Sequence, residues 1–151
     1  MRSRTWEIER GVPATAGVMM LNREKLGVYF VLNPPAAARQ VDLVQSILGL
    51  IFHVDYVNFL SICNGLRSDG CLALHEIETL SARNAGYEVQ KYMPDYFMIG
   101  DDGGGQAILI NSSGEIFEVG MGVMNPKFLE RSADSLTDLL VNLKGLTLGE
   151  R

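Results

Sequence analysis

Apolar positions along this 151-residue chain change their period several times, and each change marks an element. Val18–Leu21 and Gly27–Leu32 are apolar and rich in β-formers, and Asn22–Lys25 separates them, so the spacing predicts a hairpin. Asn33-Pro34-Pro35 stops the second arm and opens a helix over about Ala36–Leu48. Val41, Val44 and Leu48 share one face of that helix, Leu43 and Ile47 are expected to widen it, and Gly49 ends it. After the apolar link Leu50-Ile51-Phe52, a second helix is expected over Val54–Cys63. Tyr56, Phe59, Leu60 and Cys63 follow one another there at i, i+3, i+4 and i+7. Asn64-Gly65 closes it, because both residues tolerate positive φ.

The second half reads more plainly. A polar turn at Ser68-Asp69-Gly70 leads to a strand over Cys71–Leu74, then to a helix, or a helix and loop, over Thr79–Tyr92 that Pro94 breaks. Phe97–Ile99 is a short strand, and 100–105 is a tight glycine-rich loop. Gln106–Ile110 and Glu115–Val119 form a hairpin about Asn111-Ser112-Ser113-Gly114. Leu136, Leu139, Leu140 and Leu143 make the apolar face of a last helix over Ser135–Leu143, with Ser135 and Asp138 placed to cap it. This order predicts an α+β fold in a single domain: a mostly antiparallel twisted sheet with helices packed against it. Residues 1–35 are expected to form an N-terminal extension, with its hairpin, packed on the same domain, and 36–145 its body.

Composition supports a packed domain, with 47% hydrophobic and 21% charged residues. The longest apolar run, Ile47–Phe52, is about a third of the roughly 20 residues a spanning helix needs. Glu7, Glu9 and Arg10 stand where a signal peptide would be apolar. With only two cysteines, Cys63 and Cys71, the expectation is a cytoplasmic protein without a disulfide framework.

The net charge of −5 is concentrated. Between Asp69 and Asp102 the acids are Asp69, Glu76, Glu78, Glu88, Asp95, Asp101 and Asp102, against Arg83 and Lys91 alone. Such a surface repels phosphate backbones and attracts basic partners, which disfavours nucleic acid. Solubility alone is the plainer explanation of the same charge. Tyr87, Tyr92, Met93, Tyr96 and Phe97 lie beside these acids. Core packing explains most of them, while aromatic anchors with an acidic rim would make an interface. The residues expected to meet a partner are Asp69, Glu76, Glu78, Tyr92, Asp95, Tyr96, Asp101 and Asp102.

Catalytic and cofactor chemistry finds little footing. The Asp101-Asp102-Gly103-Gly104-Gly105 loop lacks the lysine of a phosphate loop and the spaced oxygen ligands of a calcium loop. Cys63, Cys71 and His75 do not have zinc spacing. Cys63 lies on the apolar stripe, and Cys71 falls out of phase with Leu72 and Leu74 without an evident activating partner. No cofactor, metal or catalytic residue is expected.

Several segments together resemble the SMI1/KNR4-like (SUKH) domain family. Tyr56-Val57-Asn58-Phe59-Leu60-Ser61-Ile62-Cys63-Asn64-Gly65 is similar to its Tyr helix ending in Asn-Gly. Cys71–His75 with Glu76–Leu80 resembles the strand and element that follow. Phe97-Met98-Ile99-Gly100-Asp101-Asp102-Gly103-Gly104-Gly105 is similar to the family's glycine-rich stretch. Ile108–Ile110, Gly114–Phe117 and Ala133–Leu140 continue the same order, so the resemblance covers about residues 36–143. Phe52-His53-Val54-Asp55 lacks the proline the family carries before its Tyr helix. The resemblance implies an α+β fold and a non-catalytic binding role. That role would be an immunity protein neutralising a bacterial toxin. The alternative is a regulatory or scaffolding domain binding a non-toxin protein or a small ligand, as in fungal members linked to cell-wall synthesis and signalling.

Overall fold

The computed structural model describes residues 21–151. The elements run α1 (Arg23–Tyr29), β1 (Phe30–Leu32), α2 (Ala38–Leu48), α3 (Val54–Ile62), β2 (Leu66–Ser68), β3 (Ala73–Leu74), α4 (Ile77–Gly86) and α5 (Val89–Tyr92). There follow β4 (Tyr96–Asp101), β5 (Gln106–Asn111), β6 (Ile116–Gly120), a 3-10 turn (Pro126–Phe128), β7 (Glu130–Ala133), a π-helical segment (Asp138–Asn142) and a final 3-10 turn (Leu148–Glu150). The seven strands pair in sequence order, each antiparallel to the next, as an open meander.

Alternation along the central strands feeds two cores. Phe97, Ile99, Ile108 and Ile110 point to a main core with Leu26 of α1, Val44 of α2, the α3 stripe and Leu80 of α4. At its centre Phe52 lies 4.7 Å from Phe97 and 5.2 Å from Tyr56, between ring centroids. Met98, Ala107, Leu109 and Val119 point the other way, to a smaller core closed by Val89, Met93 and Met124. Asn84 of α4 seals the free edge of β4, accepting from Met98 N at 2.8 Å and donating to Met98 O at 3.0 Å.

Four expectations are corrected. The hairpin's first arm, Val18–Leu21, lies outside the described residues except for Leu21, and its second arm is helical up to Tyr29. Asn22 accepts from Lys25 N at 2.8 Å as an N-cap, and Leu26 and Phe30, four apart, are the residues that reach the core. Only Phe30–Leu32 is a strand, pairing with Leu66–Ser68 at the edge of the sheet.

Leu43 and Ile47 do not widen the buried face of α2. They are 60% and 62% exposed, and Ile51 and Val54 just beyond the helix are exposed as well. The expected strand at Cys71–Leu74 is reduced to Ala73–Leu74, because Ser68 turns the chain by bonding Gly70 N and Leu72 N. The last helix winds wider than expected: Leu143 N reaches Asp138 O at 3.0 Å, five residues back, while Leu136, Leu139 and Leu140 stay buried. The short strands β2 and β7 carry too little alternation to show in the sequence.

Candidate functional site

The Asn64-Gly65 and Gly100 positions build one end of the sheet. Gly65 has φ +96°, and any Cβ there would meet Leu74 O. A Cβ on Gly100 would meet Ala73 O, so β3 and β4 approach only through glycine. Asn64 accepts from Ile77 N at 2.8 Å and donates to Glu78 at 2.7 Å, tying the end of α3 to the start of α4.

The loop after β4 is held by its own aspartates. Asp101 meets His75 Nε2 at 2.7 Å through one carboxylate oxygen and accepts from Gly103 N through the other. Asp102 turns away and accepts from Gly104 N at 2.8 Å and Gln106 N at 2.9 Å. The two neighbours point apart. Gly103 lies against Cys71 of the β2–β3 turn, where Asp69 is exposed. Glu150 reaches the same turn from the chain's last segment, accepting from Cys71 N at 3.3 Å and from Thr147 N at 3.0 Å.

Asp69, Asp101, Asp102 and Glu150 therefore gather at one end of the sheet, with Glu76 exposed next to His75. Burial of its surroundings, Glu150 and Asp102 all push the Cys71 thiol above its ordinary range. Glu150 itself is held below the usual carboxylate range, first by its bond from the Thr147 backbone. Glu150 was missed in the sequence, although Thr147 and Glu150 have capping-box spacing and make that box here.

The other expected contact residues lie elsewhere. β4 runs six residues, about 20 Å at strand rise, from Tyr96 to Asp101. Asp95 sits at its far end, accepting from Ser112 Oγ at 3.0 Å beside a cavity of about 360 Å³ lined by Ile51, Phe52, His53 and Phe97. Tyr96 is half-buried, edge-on to Phe117 at 5.4 Å in the second core. Tyr92 is half-exposed in a groove with Tyr87 and Phe128. Of the eight, Asp69, Asp101 and Asp102 share one end with Glu76 beside them. Glu78 is engaged by Asn64, and Tyr92, Asp95 and Tyr96 do not join them.

Among the described residues, no three His, Cys, Asp or Glu side chains converge as metal ligands. Cys63 is buried on the α3 side and burial pushes its thiol up to about 11. Both thiols are thus shifted away from the thiolate a nucleophile requires. No helix of the described residues is long and apolar enough to cross a membrane.

A search of curated proteins returns no match. The model of the SMI1 / KNR4 family (SUKH-1) matches residues 35–142, which spans α2 through the π-helical segment and takes in the Asn-Gly pair, the His75–Asp101 contact and the glycine loop. On that match and on its seven-stranded antiparallel sheet with packed helices, the chain belongs to the SMI1/KNR4 (SUKH-1) family.

Proposed function

We propose that this chain is a non-catalytic immunity protein that binds a basic toxin domain through the acidic end of its sheet. Family membership supports a binding role, since the SUKH family generally includes toxin immunity proteins. The observation that carries the acidic-end reading is convergence. A turn, a loop and the final 3-10 segment, separated in sequence, bring Asp69, Asp101 and Asp102, and Glu150 to one region. Among the described residues, Asp69, Asp102 and Glu150 form no ion pair with lysine or arginine. Their charge is available to a cationic surface, and a nuclease-type toxin must carry such a surface to hold its own substrate.

The test is growth protection on co-expression with the toxin domain encoded beside this chain. Asp69→Lys with Glu76→Lys is the informative variant, because both side chains are exposed and neither holds the fold. Wild-type protein is expected to restore growth and the double variant to lose protection. Undiminished protection by the double variant contradicts the acidic-end reading.

A further inference from the structure

On the second face of the sheet, the groove between α5 and the 121–128 segment is lined by Tyr87, Glu88, Tyr92, Met121, Val123 and Phe128 and encloses about 470 Å³. Tyr87, Tyr92, Val123 and Phe128 are each between 38% and 49% exposed, so their apolar surfaces face the opening and not the core. Aromatic and methionine side chains of this kind are enriched where proteins grip partners.

The walls are fixed from beneath. Val89, Met93 and Met124 are buried in the second core. Gln90 donates to Asn84 Oδ1 at 2.9 Å and to Tyr96 O at 2.7 Å, which pins α5 to α4 and β4. On the opposite wall Asn125 accepts from Lys127 N at 3.0 Å and sets the 3-10 turn that carries Phe128. Glu88 stands at φ +54°, a left-handed conformation that reverses the chain between α4 and α5 and brings Tyr87 and Tyr92 to the same opening. A groove so held loses little freedom when it is filled.

Charge selects the occupant. Lys91 Nζ lies 5.3 Å from the centre of the Tyr92 ring, and Lys127 Nζ lies 5.5 Å from that of Phe128. The groove-lining carboxylate is Glu88, and Lys91 already meets it at 3.4 Å. The two ammonium groups beside the aromatic walls outnumber the one carboxylate, and with Lys91 paired to Glu88 the excess charge is that of Lys127, in a chain whose net charge is −5. A basic segment entering here would meet both lysines. An acidic one would meet complementary charge while its apolar side chain covers the rings.

We propose that this groove is a second docking site, for an acidic polypeptide segment that carries an aromatic or other large apolar side chain. It is independent of the acidic end of the sheet, and of opposite preference.

The test is a titration of isotope-labelled full-length protein, followed by amide NMR at low salt, with the synthetic peptides acetyl-Asp-Trp-Asp-amide and acetyl-Lys-Trp-Lys-amide. The acidic peptide is expected to give saturable shifts at residues 87–92 and 121–128, with at least about tenfold weaker binding of the basic one. Lys91→Gln with Lys127→Gln is expected to weaken the acidic peptide about three- to tenfold, and Tyr92→Ser to abolish its shifts; all three side chains are exposed, so folding is not at stake. Absence of saturable shifts at the groove, or equal binding of the two peptides, overturns the proposal. Shifts of the same amides on raising protein concentration alone would assign the groove to a second copy, and displacement of residues 1–20 by peptide would assign it to the chain's own start. Either outcome also overturns it. Asp69→Lys with Glu76→Lys should leave this binding intact, which separates its failure from that of the acidic end.

Discussion

Tyr56 keeps its hydroxyl in the main core, buried and without a hydrogen-bond partner among the described residues. Such a group costs its desolvation with nothing returned, about 1–3 kcal/mol. Tyr56→Phe is therefore expected to raise the unfolding free energy by about 1 kcal/mol in urea titration, and a loss of stability would show that the hydroxyl has a partner. Burial also drives the phenol's pKa upward. A group whose folded-state pKa exceeds its unfolded value leaves stability intact below the unfolded value, about 10, and erodes it as pH rises beyond that. The phenylalanine variant should lose less stability than wild type in that alkaline window.

Cys71 reports on the acidic end in the same way. Desolvation first, and then Glu150 and Asp102, disfavour its thiolate. Glu150→Gln removes the charge, while its one carbonyl oxygen can still accept from either Cys71 N or Thr147 N, so iodoacetamide labelling of Cys71 near pH 8 is expected to quicken. Unchanged labelling would mean that Glu150 does not act on the thiol. Cys71's outward position was legible in the alternation with Leu72 and Leu74. Glu150 was not, because a residue 79 positions away in sequence leaves no local signal at Cys71.

At the scale of elements, periodicity located α3 and the β5–β6 hairpin well, because their buried positions recur without interruption. Tyr56, Phe59, Leu60 and Cys63 are all buried, as their spacing required. It failed for Leu43 and Ile47 on α2 and for the second arm of the expected hairpin. Leu43 and Ile47 fit a widened apolar face on spacing alone, yet the core takes in Val41, Val44 and part of Leu48 and leaves those two exposed. Gly27–Tyr29 reads as strand by composition, but the Asn22 cap and the four-residue step from Leu26 to Phe30 decide for helix.

The contrast on α2 can be measured. Val44→Ala is expected to cost about 1–3 kcal/mol by opening a cavity in the main core, whereas Ile47→Lys should fall within about 0.5 kcal/mol of wild type. A large loss at Ile47→Lys would mean that this face is covered in the protein.

For the molecule as a whole, the sequence disclosed how many acids lie between Asp69 and Asp102 but not how they divide. Fold geometry brings three of them to one end with Glu150, leaves Asp95 at the other, and sets Glu88 against Lys91 in the aromatic groove. Linear charge density cannot show this, since β4 alone carries the chain from one end of the sheet to the other. The resemblance in motif order held because it rests on backbone demands. Gly65 and Gly100 are positions where a side chain would meet the backbone of β3, and Asn64 joins two helices through its side chain.

The proposed binding through the acidic end is tested most directly by the association rate constant with a basic toxin domain that the chain protects against, measured by stopped flow across ionic strength. Opposite surfaces that steer encounter raise association about 10- to 1,000-fold and lose that gain as salt screens them. The expected result is a rate that falls steeply between low and physiological salt for wild type, and a slower, nearly salt-independent rate for Asp69→Lys with Glu76→Lys. A wild-type rate indifferent to salt, or a double variant that associates as fast as wild type, would contradict the acidic end as the toxin-binding surface.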